Sequence, residues 1–286
     1  MYKIISGKEV SQAVKERVAE RVKELNAMGV EPCLAVILVG EDPASKVYVN
    51  NKEKACEFCG IRSLKYVLPE STTQQELNAL VEKLNNDESV NGILCQLPLP
   101  KHLDEQEVIN LIKPEKDVDA FHPENVGHIM IGDYNFLPCT PAGIMEMLKS
   151  ENIDLDGKHC VIIGRSNIVG KPMAMLMLKQ NATVTVCHSH TKNLKEIVKQ
   201  ADVIVAAVGR AKFVTADMVK EGAVIVDVGI NKGEDGKLCG DVDFDGCCEK
   251  SSYITPVPGG VGPMTIATLM QNTITAAKIQ NKDLLK

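Results

Sequence analysis

Seven apolar residues follow one another without interruption in Cys33-Leu-Ala-Val-Ile-Leu-Val39. No other stretch constrains the fold as tightly. A strand with one wet face alternates polar and apolar side chains, so an unbroken run belongs to a strand covered on both faces, as in a parallel sheet flanked by helices. Gly40-Glu41-Asp42-Pro43 then reads as a turn and helix start, with the helix continuing to about Cys59. Arg62 to Leu68 reads as a second strand, and Thr73 to Asn85 as an amphipathic helix with Leu77, Leu80, Val81 and Leu84 on one side. Gly92 to Cys95 is a short buried strand, stopped by the prolines of Gln96-Leu97-Pro98-Leu99-Pro100, and Leu103 to Ile112 is a further helix. Strands alternating with helices imply a parallel α/β sheet.

Lys113 to Thr140 has few periodic apolar positions and reads as connecting and site-forming loops, with a helix starting after Pro141 and facing inward through Ile144, Met145 and Leu148. A second α/β series follows. His159 to Ile163, Thr183 to Cys187, Val203 to Ala206 and Val224 to Val228 read as strands, with helices at Gly170 to Gln180 and Leu194 to Gln200. That is a doubly wound, Rossmann-type dinucleotide-binding pattern. After the Gly- and Pro-rich Pro256 to Pro263, Thr265 to Ile279 reads as a last helix that could pack back on the first domain. The expected architecture is therefore α/β with two domains: an N-terminal α/β substrate-binding and catalytic domain over 1–140, a dinucleotide-binding domain over 141–264, and a C-terminal helical segment over 265–286. The length of 286 residues suits two domains of ordinary size.

Composition narrows the function. With 32 basic against 38 acidic residues the net charge is −6, whereas proteins that bind a phosphate backbone concentrate Lys and Arg. Nucleic acid is not expected as a partner, and the absence of Trp with 3% aromatic residues disfavours a base-stacking surface. No stretch approaches the ~20 apolar residues needed to span a bilayer, and Met1 to Val10 lacks the apolar run of a signal peptide. A cytoplasmic location is expected. Cys33, Cys95, Cys160 and Cys187 sit in apolar runs, Cys56 and Cys59 form a single CxxC, and Cys247-Cys248 is a vicinal pair. Reduced, structural thiols and no metal site are the reading of that pattern.

Gly164-Arg165-Ser166-Asn167-Ile168-Val169-Gly170-Lys171-Pro172 comes directly after a strand. A strand, a tight glycine turn and a helix start offer backbone N–H groups and a positive helix end to a pyrophosphate. A plain strand-to-helix turn is the alternative reading, since this is not the full GxGxxG fingerprint. NAD-binding units usually place Asp or Glu at the end of the next strand, where it holds a ribose 2′-hydroxyl. Here that strand ends Cys187-His188-Ser189-His190-Thr191-Lys192. Without a carboxylate to repel a 2′-phosphate, NADP is favoured; His190 is either a phosphate contact or a solvated loop residue.

Tyr48 and Lys52, four residues apart, share one helix face. Gln96 follows the Gly92 to Cys95 strand, at the sheet edge where the helix carrying Tyr48 begins, and Asp119 lies in the loop expected to cross that edge. A lysine beside a phenol and an amide, partly withdrawn from water, is a group suited to proton exchange.

These segments together resemble the bifunctional methylenetetrahydrofolate dehydrogenase/cyclohydrolase family of the bacterial FolD type. The resemblance rests on Tyr48-Val-Asn-Asn-Lys52, Gln96-Leu-Pro-Leu-Pro100, Pro114-Glu-Lys-Asp-Val-Asp119, Pro138-Cys-Thr-Pro141, Gly164 to Pro172 and Pro256-Val-Pro-Gly-Gly-Val-Gly-Pro-Met-Thr265. It implies NADP-dependent oxidation of 5,10-methylenetetrahydrofolate and hydrolysis of the methenyl product to 10-formyltetrahydrofolate. It implies Lys52 as the catalytic lysine, Tyr48 packing on the aminobenzoyl portion of the folate, Gln96 modulating Lys52, and Asp119 holding the pterin. Leu97, Pro98, Pro258, Gly259, Gly262, Pro263 and Thr265 are implied substrate contacts, and Gly164, Arg165, Ser166, Ser189 and Ile230 implied NADP contacts. A homodimer is implied too. The sequence departs from the family pattern at Ala120, where Gly is general, at Leu137, where Arg is common, and at His190, where Arg or Lys is usual. Alternatives are a monofunctional dehydrogenase, a non-catalytic folate- or nucleotide-binding protein, and an unrelated two-domain dehydrogenase. The retained Lys52, Tyr48 and Gln96 oppose the first, the intact Lys52 and glycine loop the second, and the Gln96 to Pro100 and Pro258 to Thr265 segments the third.

Overall fold

The computed structural model describes residues 2–233 and 236–285. The first elements in chain order are β1 (Lys3–Ile4), α1 (Gly7–Ala27), β2 (Cys33–Val39), α2 (Pro43–Cys59), β3 (Arg62–Leu68), α3 (Gln74–Asn86) and β4 (Gly92–Cys95). Then come α4 (Glu105–Leu111), α5 (Pro123–Ile131), α6 (Cys139–Ser150), β5 (His159–Ile163), α7 (Gly170–Lys179), β6 (Thr183–Cys187), α8 (Leu194–Val198) and β7 (Val203–Ala206). The chain ends with β8 (Ala223–Asp227), β9 (Asn231–Lys232), β10 (Leu238–Cys239), α9 (Phe244–Cys248), β11 (Ser251–Ile254) and α10 (Val261–Gln280).

Two compact units result. One comprises Met1–Ser11 with Pro138–Thr265, the other Gln12–Leu137 with Ile266–Lys286. The division thus differs from a simple cut near residue 140: β1 pairs in parallel with β11, in the sheet of the later half.

In the unit built on Gln12–Leu137, β3, β2 and β4 form a parallel sheet in that order. Every side chain of β2 is buried, as its unbroken apolar run requires. The chain goes from β2 to β3 on one side and later to β4 on the other. The strand order therefore reverses at β2, and the carboxyl ends of β2 and β4 flank a topological switch point, the place where open α/β sheets bind ligands. α2 starts beside that edge, with Asp42 accepting a 2.7 Å hydrogen bond from the Ser45 N–H as its N-cap.

The second sheet runs β1-β11-β8-β7-β5-β6, every pairing parallel. Its switch point lies between β5 and β7, because β6 adds on one side of β5 and β7 on the other. Among the described residues no helix is long and apolar enough to cross a membrane. All ten cysteines are free and all but Cys239 are buried. Burial pushes the Cys56, Cys95, Cys160 and Cys247 thiols up to about 12.

Several expectations need correction. Lys113 to Thr140 is not loop throughout: it contains α5, and α6 already begins at Cys139. α5 escapes an apolar-periodicity reading because its buried face uses Asn125, whose amide donates to Pro114 O at 3.0 Å and Asp117 Oδ2 at 2.9 Å. In α6 Met147, not Met145, joins Ile144 and Leu148 in the core. α1 has no counterpart among the expected elements, although Val14, Val18, Val22 and Leu25 form its buried stripe at helical spacing. α10 begins at Val261 rather than Thr265. From Ile266 onward it belongs to the unit built on Gln12–Leu137: the Asn272 amide donates to Val118 O and Leu137 O, and the Gln280 amide to Asn91 O and Glu115 O.

Candidate active site

Lys52 is only 7% exposed, and its Nζ donates a 2.8 Å hydrogen bond to Gln96 Oε1. The backbone of Gln96 is pinned by its N–H to Ile37 O at 2.8 Å. Its side chain is oriented by Nε2, which donates to Leu97 O at 2.6 Å. With the amide nitrogen so engaged, the amide oxygen is the face left for Lys52. The pair lies at the carboxyl end of β4, on the switch-point edge. Tyr48 stands one helical turn before Lys52, half-buried, with burial raising its phenol above the ordinary value. At neutral pH it is a protonated phenol and not a base.

Asp119 follows a segment locked on every side. Lys116, buried, donates to Leu84 O at 3.1 Å and Asp87 O at 2.7 Å, and so closes the carboxyl end of α3. Asp117, also buried, accepts from the His122 N–H at 2.8 Å and from Asn125, and burial raises its pKa. Val118 has no exposed surface, and Asn272 holds its carbonyl. Ala120, also fully buried, has φ +58°, a left-handed conformation that favours glycine. Asp119 is thus half-exposed between two fully buried neighbours. The charges of Asp119 and Lys52 both act on Cys95, the first raising and the second lowering its pKa, which places the two groups around one thiol. That thiol, near 12, stays protonated and does not compete as a nucleophile.

In the other unit, the loop after β5 has the form a nucleotide needs. A Cβ on Gly164 would lie 2.3 Å from Ala207 O, and one on Gly170 would lie 2.2 Å from Gly164 O, so only glycine permits this approach of β5, β7 and α7. Ser166 Oγ accepts from the Val169 and Gly170 N–H groups at 3.2 and 3.4 Å, at the start of α7. Residues 165–168 are exposed at this helix end. At the end of β6 the His188 N–H donates to Thr191 Oγ1 at 2.8 Å and the His190 N–H to His188 Nδ1 at 3.2 Å, which shapes a tight turn. Ser189 and His190 are exposed on it. Ile230, 51% exposed, has its Cδ1 3.8 Å from where a Gly262 side chain would begin. Pro258 and Gly259 lie in the loop before α10; Gly262, Pro263 and Thr265 lie inside its first turns, where Thr265 Oγ1 is 3.1 Å from Thr140 Oγ1.

The structure therefore joins Lys52 to Gln96 directly and sets Asp119 near them. Tyr48 makes no hydrogen bond to Lys52 among the described residues. Sequence reasoning passed over Asp227 and Asp241, two buried carboxylates at the carboxyl edge of the second sheet. The signal available was one Asp within the apolar Ala223-Val-Ile-Val-Asp227. Among the described residues no three His, Cys, Asp or Glu side chains cluster as a metal site would require.

Known proteins match the chain along nearly its whole length. Residues 5–119 match the family model for the tetrahydrofolate dehydrogenase/cyclohydrolase catalytic domain, and residues 138–281 that for the family's NAD(P)-binding domain. The chain is 62% identical over 278 residues to the bifunctional protein FolD of Agathobacter rectalis, covering 97% of this chain and all of the relative. The crystal structure of the bifunctional FolD enzyme of Campylobacter jejuni superposes with a TM-score of 0.96 at 55% identity, over 98% of this chain and 99% of that one. The Trypanosoma brucei enzyme, solved with NADP cofactor and an inhibitor, superposes at 0.93 with 38% identity, over 97% and 98% of the two chains. Through both of its halves, the chain belongs to the tetrahydrofolate dehydrogenase/cyclohydrolase family.

Proposed function

We propose that this family member carries out both reactions: NADP-dependent oxidation of 5,10-methylenetetrahydrofolate to the methenyl form, and hydrolysis of that product to 10-formyltetrahydrofolate. The observation that carries the reading is the buried Lys52 amine, hydrogen-bonded to Gln96 Oε1 at a sheet switch point. Hydrolysis requires water to add to the methenyl carbon and a proton to move as the ring opens. Lys52 Nζ is the group placed to hold and move that proton, with Gln96 fixing its direction. Asp119 would accept the N–H donors of the pterin edge. Tyr48, and Leu97 and Pro98 after Gln96, would position the folate, as would Pro258, Gly259, Gly262, Pro263 and Thr265.

The glycine cradle at Gly164 and Gly170 fits a dinucleotide, which Gly164, Arg165, Ser166, Ser189, His190 and Ile230 would hold. The nucleotide supplies the hydride acceptor. NADP is favoured over NAD because residues 187–192 carry no carboxylate, while Ser189, His190 and Lys192 are exposed and able to meet a phosphate. We read the working form as a homodimer in the cytoplasm, with folates and not nucleic acid as ligands. The test follows methenyl absorbance with purified protein, methylenetetrahydrofolate and either nucleotide. Methenyl and then formyl product are expected with NADP; neither product with either nucleotide would overturn the reading.

A further inference from the structure

Asp241 is fully buried, and its carboxylate collects four donors. Oδ2 accepts from the Val208 and Gly209 N–H groups at 2.6 and 2.9 Å, and Oδ1 from the Arg210 N–H at 2.8 Å and from Asn231 Nδ2 at 2.9 Å. Three successive backbone N–H groups converging on one point form a cradle of the kind that binds anions. Here the chain supplies the anion itself. The cradle is the loop leaving β7, directly after Ala207, whose carbonyl faces Gly164 across the β5/β7 switch point.

A second carboxylate holds the first. Asp227, 3% exposed, accepts from the Gly229 and Asp241 N–H groups at 2.9 and 2.8 Å through Oδ1, and from the Val242 N–H at 2.9 Å through Oδ2. Its own N–H donates to Thr255 Oγ1 at 2.7 Å, just before the Pro256 to Pro258 loop. The fit leaves no spare room: a Cβ on Gly240 would lie within bonding distance of Asp227 Oδ2, and one on Gly229 would lie 2.3 Å from Asp241 Oδ1. Among the described residues neither carboxylate forms an ion pair with Lys or Arg. Two buried carboxylates held only by N–H groups are costly, and apolar side chains would fill the same space more cheaply. Their cost is understandable where loop geometry serves a ligand.

We propose that Asp241, braced by Asp227, is a positioning residue of the nucleotide site. It sets the backbone of Val208 to Arg210 and, through Asn231, the placement of Ile230, so that both border the dinucleotide. The inference rests on the NADP-binding reading above. In Asp241→Asn an amide NH₂ must face one of the backbone N–H groups, so donor opposes donor and the cradle opens. The expected result is a Kd and a KM for NADP raised at least ten-fold with a smaller change in kcat. Hydrolysis of added methenyltetrahydrofolate, which uses no nucleotide and whose Lys52 and Gln96 lie in the other unit, should stay within two-fold of wild type. An unchanged NADP KM, or loss of hydrolysis in the same proportion as NADP affinity, would overturn the proposal. Asn231→Ala provides a second arm that leaves both carboxylates in place. A three-fold or larger rise in the NADP KM supports the role, and no rise refutes it. Failure of the wild-type protein to bind NADP would instead remove the underlying functional reading.

Discussion

Replacing Lys52 by Met tests the centre of the reading most directly. The Lys52 Nζ to Gln96 Oε1 hydrogen bond of 2.8 Å would be lost while an unbranched chain of similar length still fills the space. Proton transfer by a positioned side chain contributes about 10²–10⁴-fold, or roughly 3–5 kcal/mol of barrier. Methenyl hydrolysis should fall by that factor. Removing only the partner, in Gln96→Ala, forfeits one hydrogen bond to the amine, about 1.5–3 kcal/mol, and should slow hydrolysis roughly 10- to 150-fold. The stability effect of Lys52→Met should be small. Leaving Gln96 Oε1 without its donor costs about 1–3 kcal/mol, but an amine only 7% exposed no longer has to be desolvated. The assay is the decay of methenyltetrahydrofolate absorbance, with thermal unfolding measured on the same samples. Hydrolysis within two-fold of wild type in Lys52→Met, with the melting temperature preserved, would refute a proton-transfer role for this amine.

Asp119→Ala should raise the folate KM about 10- to 100-fold, the loss of one or two charge-assisted hydrogen bonds; a folate KM equal to wild type would remove Asp119 from the pterin pocket. At Ala120, φ +58° with no exposed surface makes Ala120→Val destabilising by more than about 2 kcal/mol. Ala120→Gly, which relieves the backbone but loses a buried methyl, should change unfolding free energy by less than about 1 kcal/mol; urea denaturation compares the two. Burial raises the Asp227 pKa from 3.8 to about 6 against the opposing pull of three backbone N–H groups. A carboxyl whose folded pKa is raised binds more protons folded than unfolded, so its contribution is fully present below pH ~4 and is lost as the pH rises through 6. Relative to Asp227→Asn, wild-type unfolding free energy should therefore fall by on the order of 2–3 kcal/mol between pH 4 and 7, and a difference flat with pH would contradict this.

The parallel α/β class and its two sheets were legible because unbroken apolar runs have one physical explanation. β2, β4 and β7 are such runs, and β3, β5 and β6, which carry polar positions, also begin and end where the sequence places them. The same logic failed at α5, whose inward face relies on Asn125 hydrogen bonds, and at β1, two residues whose partner strand β11 lies some 250 positions later. Likewise the residue types of the site, a lysine, a phenol, an amide, a carboxylate and a glycine turn, could be read one motif at a time. Tertiary structure alone decided which of them meet: Lys52 reaches Gln96 across 44 residues because β2 and β4 are neighbours, and Asp241 reaches Val208 across 33 because the β7 and β8 loops share one edge. Local sequence governs which conformations a segment prefers and which chemistry it carries. The pairing of strands governs which segments share an edge, and that pairing is settled only by burying the whole sheet at once.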